Sequence, residues 1–206
     1  MKLYDFPFSP NCRKVRAVAY ELGITLEYVH VDLLKGEQRA PAFLAKNPNG
    51  RVPVLEDGDF VLWESTAIQR YLASGSALVP RDRRVQADVD RWIAWQLAHL
   101  QPAMRVVAFE RIVKPLTKQG EPDPAKIEAG TVEFAAACAV LDACLGDKEY
   151  VAGPLSLADF ALAAHYSLAG AAGLDVSRYP RVESWLARML ARDSMKRALA
   201  DAQVTR

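Results

Sequence analysis

Arg51-Val52-Pro53-Val54-Leu55-Glu56-Asp57-Gly58-Asp59-Phe60-Val61-Leu62-Trp63-Glu64-Ser65 is the stretch whose pattern decides the fold. Two short apolar runs, Val52–Glu56 and Asp59–Leu62, flank Asp57-Gly58, and an Asp-Gly pair between apolar runs signals a tight β-hairpin. Ser65 then offers a capping hydroxyl to a helix running to about Ala73. Pro53 cannot donate to a strand ladder, so it belongs at an edge, at a strand start or in a special geometry such as a cis bond.

Upstream, Asn47-Pro48-Asn49-Gly50 reads as a turn, and Pro41–Lys46 before it holds only a short helix. Leu26–Val31 and Lys2–Phe6 read as strands. Between them Asn11–Leu22 carries Val15, Val18, Ala19 and Leu22 at helical spacing and is closed by Gly23. A strand, helix, strand unit of this length implies parallel strands joined by a right-handed crossover. The full order is βαβαββα, the order of an α/β thioredoxin-like domain.

Downstream, Ser74–Arg81 is rich in Gly, Ser and Pro and reads as a linker. Beyond Arg84 only helical patterns remain, over Val85–Glu110, Ala125–Leu145, Ser156–Leu168 and Pro180–Ala191. The expected organisation is therefore a thioredoxin-like domain over residues 1–76, a linker over 77–84 and an all-α helical bundle over 85–206. There is no internal repeat and no low-complexity tract.

Composition narrows the function classes. Hydrophobic residues make up 51% of the chain and charged ones 25%, the balance of a protein with a packed core. A formal net charge of +1 supplies no basic field for a nucleic-acid backbone, so no nucleic-acid partner is expected. Cys12, Cys138 and Cys144 are an odd number without framework spacing, which points to free thiols in a reducing compartment. No apolar run has the length of a signal peptide or a membrane span, so a cytoplasmic protein without a membrane partner is expected.

The chemistry begins at Ser9-Pro10-Asn11-Cys12, where the first strand gives way to the first helix. A helix N-terminus presents unpaired N–H groups and partial positive charge, which stabilise a thiolate. A serine there is either a cap or a hydroxyl that donates a hydrogen bond to the thiolate of a ligand. Cys12 is either a small buried residue on the inner helix face or a nucleophile. A cis bond at Val52-Pro53 would turn the Val52 N–H and C=O outward, to pair with an extended peptide as a sheet edge does. Glu64 with Ser65 is either an ordinary helix start or a receptor for an α-amino acid group, the carboxylate on the helix amides and the ammonium on Glu64. Arg13, Lys14, Arg39 and Arg51 read singly as surface charges and together as a setting for an anionic ligand.

These residues resemble the cytosolic glutathione S-transferases. Lys46 to Ile68 is similar to the glutathione-site signature of that family almost throughout, and Ser9 followed by Arg13, Lys14 and Val15 is most like the phi class and related serine-type bacterial enzymes. Ser156-Leu157-Ala158-Asp159 extends the likeness into the second domain, as a capping box with Leu155 and Phe160 in the staple positions. The resemblance implies Ser9 as thiol activator, Val52 ahead of Pro53 as backbone partner of the cysteinyl unit, and Glu64 with Ser65 at the γ-glutamyl end. It implies Gln38, Arg39 and Arg51 near the glycyl end. The chain departs from the phi pattern at Gln38 and Arg39, where histidine and lysine are common, and at Asn49, where phenylalanine is.

The expected activity follows. A free thiol of pKa about 8.5 is only about 3% ionised at neutral pH, so activating glutathione is mostly a matter of lowering that pKa. A hydrogen bond to a charged group is worth roughly 1.5–3 kcal/mol and an exposed helix terminus about 0.3–1, which makes the Ser9 hydroxyl the larger lever. The thiolate would attack a small hydrophobic electrophile in a cleft between the domains, with Trp95, His99 and Phe109 as lining residues, no metal, and glutathione as co-substrate rather than cofactor. The resemblance also implies a homodimer. The alternatives are a cysteine-type thiol transferase using Cys12 and a non-catalytic glutathione- or ligand-binding protein, or subunit of a larger complex, on the same fold.

Overall fold

The hairpin forms on its Asp-Gly pair: β3 (Val54–Asp57) and β4 (Phe60–Trp63) run antiparallel with Leu55 opposite Leu62, and Gly58 turns between them at φ +63°. A computed structural model of the chain describes residues 1–204, with side chains through Asp201. Strand β1 (Lys2–Asp5) lies beside β3, antiparallel to it, and β2 (Glu27–His30) lies parallel to β1, giving the sheet order β2-β1-β3-β4. The parallel pair is closed by helix α1 (Pro10–Glu21). Pro10 suits the first helical position, where its missing N–H costs nothing, and Gly23 at φ +67° ends the helix.

Helices α2 (Pro41–Leu44) and α3 (Ser65–Leu72) complete the βαβαββα order. Alternation along the strands divides the apolar residues between two clusters. Leu3 and Leu55 pack with Val15 and Ala19 of α1 and with Ile68 and Leu72 of α3. Val54, the neighbour of Leu55, packs instead with Cys12, Val31, Phe43 and Val52. Complete burial of a side chain such as Leu3 or Leu55 contributes about 1.5–3 kcal/mol.

Two compact units emerge, Met1–Val79 together with the segment from Ala191, and Pro80–Leu190. The division differs from the 85–206 helical domain expected from sequence. An additional helix, here α10 (Asp193–Val204), belongs with the first unit because α1 holds it. Arg16 pairs with Asp201 at 2.7 Å, Tyr20 donates to the same carboxylate at 2.7 Å, and Glu21 takes Arg192 and the Ser194 hydroxyl.

In the second unit helical backbone runs from Arg83 to Thr117, seven residues past the expected end at Glu110. It comprises α4 (Arg83–Trp95), α5 (Gln101–Ala108) and α6 (Lys114–Thr117), joined by two π turns, Gln96–Leu100 and Phe109–Val113. A proline inside a helix lacks one donor and collides with the carbonyl four residues back. Each π turn ends two residues before such a proline: Gln101 donates to Gln96 O ahead of Pro102, and Lys114 donates to Phe109 O ahead of Pro115. The wider turns let the helix continue through both.

Helix α7 (Pro124–Leu145) is capped by Asp123 and passes close to α5 at Gly130. Helix α8 (Leu157–Tyr166) is buried along its whole length, and α9 (Pro180–Ala191) follows it. The Asp159 carboxylate sits under the start of α8, accepting from Ser156 N at 3.0 Å, Ser156 Oγ at 3.1 Å, Val151 N at 3.0 Å and Trp185 Nε1 at 3.0 Å.

Candidate functional site

Ser9 is the N-cap of α1, in extended conformation, and its hydroxyl makes no capping hydrogen bond. The backbone fixes it there: Ser9 N donates to Phe6 O and Arg13 N donates to Ser9 O, both at 2.9 Å. The hydroxyl lies within reach of the Cys12 sulfur and favours its thiolate, as does the Phe6 N–H at 3.5 Å. Burial outweighs both and, with the Asp5 carboxylate adding to it, pushes the Cys12 thiol well above its ordinary value. Cys12 has no exposed surface and belongs to the core around Val54. The alternative that makes Cys12 the nucleophile is thus opposed by burial: an inaccessible, protonated thiol neither reaches nor attacks a substrate.

The Val52-Pro53 bond is cis, and Val52 packs in the same cluster as Cys12, which brings the turn before β3 up to the first turn of α1. The first turn of α3 meets α1 there too. Ser65 Oγ donates to Asn11 Oδ1 at 3.3 Å, Lys14 Nζ donates to Thr66 Oγ1 at 3.0 Å, and Gln69 Nε2 donates to Lys14 O at 3.2 Å. Glu64, the N-cap of α3, is exposed and held at φ 71°, ψ 108°, a region a side chain enters only at a cost. Ser9, Val52, Pro53, Glu64 and Ser65 therefore gather at one corner of the first unit.

Gln38 and Arg39 form a short 3-10 turn, Glu37–Arg39, that packs against Gly50. A Cβ on Gly50 would stand 3.2 Å from Gln38 O and 3.4 Å from Leu44 Cδ2, so the residue before Arg51 must be small as well as free to take φ +58°. Arg39 and Arg51 are exposed, and Gln38 is half-buried with its Oε1 enclosed and without a hydrogen-bond partner. Arg13 and Lys14 overturn their reading as surface charges. Both are buried, and burial lowers the Arg13 pKa to about 10 and the Lys14 pKa to about 7.

In the second unit the Trp95 and His99 rings lie tilted at 33° with centroids 6.0 Å apart, and Trp92 meets Trp95 edge to face at 5.3 Å. Phe109 lies ten residues beyond His99, about 15 Å along the helix at 1.5 Å per residue. Two of the three predicted pocket residues are thus together and the third is not. His99 stands on the first π turn and Phe109 opens the second, which widens the backbone at both. Beneath the first, buried Gln96 donates to Gln101 Oε1 at 3.1 Å and faces the His165 ring at 3.4 Å. Asn11 and Thr66 carry no site reading in the sequence, and Lys14 enters there only as one of four cations suited to an anionic ligand; Asn11 and Lys14 fall three apart on a single helix face.

Two hollows of the first unit, beside Tyr20 with Gly23, Leu26 and Arg197 and beside Glu21 with Arg192 and Ser194, contain none of these residues. Among the described residues no group of His, Cys, Asp or Glu could hold a metal ion, and no helix is long and apolar enough to cross a membrane.

Family models agree with this geometry across both units. Residues 1–74 match the N-terminal domain of glutathione S-transferase and residues 124–188 its C-terminal domain. The chain belongs to the glutathione S-transferase family. Glutathione S-transferase 3 of Zea mays is 36% identical over 210 residues, covering 97% of this chain and 93% of that protein. Glutathione transferase F7 of Populus trichocarpa superposes with a TM-score of 0.90 at 31% identity, over 98% of each chain. Glutathione S-transferase I from mais, solved in complex with an atrazine glutathione conjugate, superposes with a TM-score of 0.90 at 27% identity, over 100% of this chain and 99% of that one. This glutathione S-transferase therefore carries the thioredoxin-like sheet domain and the all-helical domain of its family, and its plant relatives are of the phi class.

Proposed function

We propose that this glutathione S-transferase activates glutathione through the Ser9 hydroxyl. One observation carries the reading: Ser9 heads a twelve-residue helix with its hydroxyl uncommitted to capping, beside a sulfur that it already favours as thiolate. A glutathione thiolate meeting that hydroxyl and the α1 N-terminus gains a charge-assisted hydrogen bond that the thiol does not. Val52 presents its backbone to the cysteinyl unit, Glu64 takes the γ-glutamyl ammonium, and Ser65 with the α3 amides takes the carboxylate. Gln38, Arg39 and Arg51 lie at the glycyl end, where exposed guanidiniums suit a carboxylate.

The thiolate attacks a small hydrophobic electrophile, forming the C–S bond as a leaving group departs with its bonding pair or as the π pair of an activated double bond shifts onto its electron-withdrawing group and takes up a proton. The atrazine conjugate held by the mais relative supports an apolar electrophile. Trp95, His99 and Phe109 are its proposed contacts. Two copies of the chain form the working unit; the edge strand β4 and α3 leave Phe60, Trp63 and Tyr71 exposed, the kind of apolar surface an interface covers. The reducing cytoplasm suits the free thiols Cys12, Cys138 and Cys144.

The test is a pH–rate profile with one electrophile for the wild type, Ser9→Ala and Cys12→Ala. Ser9→Ala is expected to raise the pKa of bound glutathione by about one to two units and to cut conjugation at neutral pH roughly ten- to a hundredfold, with binding nearly intact. Full activity in Ser9→Ala together with loss in Cys12→Ala would replace the serine by a cysteine mechanism.

A further inference from the structure

Lys14 is the one charged side chain in the contact between α1 and the start of α3 whose position the proposed chemistry leaves unused. It is completely buried, and among the described residues its ammonium donates to Thr66 Oγ1 in the first turn of α3. Among the described residues no carboxylate lies within ion-pair distance of it; Glu64 acts on it through space alone. A buried ammonium normally has a counter-ion, because its desolvation is otherwise uncompensated. This one also sits at the positive end of a helix, where a cation is disfavoured and an anion favoured. Nothing in the fold needs it there: a methionine would fill the same volume without the charge.

We infer that Lys14 is a positioning residue of the glutathione site, its ammonium the buried counter-charge for the α-carboxylate of the γ-glutamyl group seated on Ser65 and the α3 amides. This rests on the assignment of that end of the tripeptide to Glu64 and Ser65. Lys14 acts from behind, by orienting Thr66 and by its field, while the α3 amides make the direct contact. In the unliganded protein the missing counter-ion shows in the Lys14 proton, which is lost near neutrality because of burial. A carboxylate arriving above it restores the proton, so ligand binding above pH 7 takes a proton up. The other charged groups on the elements packed around Lys14 do not replace it: Asp5 of β1 and Asp201 of α10 are held by Arg16, and Arg13, Arg16 and Arg70 are cations.

The experiment is calorimetric and uses S-methylglutathione, whose sulfur cannot ionise, and the analogue lacking the α-carboxylate, S-methyl-(4-aminobutanoyl)-cysteinylglycine. Wild type, Lys14→Met and Lys14→Arg are titrated with each at pH 7.5 in two buffers of different ionisation enthalpy. Wild type is expected to lose about thirtyfold or more in affinity when the carboxylate is deleted, Lys14→Met to lose much less, and Lys14→Arg to fall between them. Uptake of roughly half a proton on binding S-methylglutathione is expected in wild type and not in Lys14→Met. An equal effect of carboxylate deletion in wild type and Lys14→Met, with equal proton uptake, overturns the role of Lys14 and leaves the γ-glutamyl assignment standing. A wild type indifferent to the carboxylate overturns that assignment itself. Should Lys14→Met fail to fold, absence of proton uptake by the wild type overturns the inference on its own.

Discussion

Glu64 is kept in a conformation that a residue with a side chain reaches only when its surroundings impose it, φ 71° and ψ 108° at the start of α3. Such strain costs about 1–3 kcal/mol and is retained where a side chain must point somewhere in particular. Two substitutions separate the backbone from the carboxylate. Glu64→Ala keeps the strain and removes the carboxylate, and is expected to weaken glutathione binding about tenfold while leaving the pKa of the bound thiol unchanged. Glu64→Gly is expected to lose the same affinity and to gain about 0.5–1 kcal/mol of stability, because glycine accepts a positive φ freely. Titration with glutathione and thermal melting read the two effects, and unchanged affinity in both variants would remove Glu64 from the site. The places of Ser9, Pro53, Glu64 and Ser65 in the backbone were legible in the sequence because they rest on local chemistry: a cap, a missing N–H, a helix start. Lys14 was not. Whether a lysine lies on the surface or in the interior depends on what covers it, and its cover is Thr66, 52 residues away in the chain.

Helices α5 and α7 show how close an approach the second unit tolerates. A Cβ on Gly130 would stand 2.7 Å from Val107 Cγ2 and 3.2 Å from Ala103 O, one a stiff branched side chain and the other backbone. Gly130→Ala gains about 1 kcal/mol of helix propensity and incurs roughly 1–3 kcal/mol of overpacking, so a net loss of stability is expected, read as a lower melting temperature. A variant as stable as wild type would mean that α5 and α7 can move apart without cost. The same elements mark where the sequence stopped being informative. Apolar spacing found α4, α7, α8 and α9, yet it ended the long helix too early and missed its π turns, because a 3.6-residue period carries no mark of one added residue. Pro102 and Pro115 were the available signal: Pro102 lies unmarked inside the expected Val85–Glu110 stretch and Pro115 just beyond it. Helix α10 escaped because only Met195 and Ala198 are buried apolar residues among its described side chains. Arg16 and Glu21 hold it by charge, which periodicity does not register.

For the molecule as a whole, stability against pH gathers the buried ionisable groups into one measurable quantity. Lys14 titrates near 7 in the folded protein, against an ordinary value of 10.5 in the unfolded chain, because burial disfavours its charge. Between those values the folded state has released the proton and the unfolded state holds it, so rising pH favours folding by up to about 1.4 kcal/mol per unit. Below pH 7 both states are protonated and the contribution is flat. Burial raises the carboxyls of Asp5 and Asp159, which titrate in the opposite sense on the acid side, and raises the thiols of Cys12 and Cys138, which do so only above the ordinary thiol value of 9.0. Lys14→Met shares all four of these groups, so subtracting its stability from that of the wild type cancels them. The unliganded Lys14→Met protein is therefore expected to be the more stable of the two at pH 6. The gap should stay constant to about pH 7 and then narrow by roughly 1–2 kcal/mol by pH 8.5, as the wild type ceases to bury a charge. Denaturant unfolding of both proteins across that range is the measurement. A gap that does not change with pH would mean that Lys14 keeps its proton when buried, and that Thr66 and Glu64 solvate an ammonium better than their geometry implies.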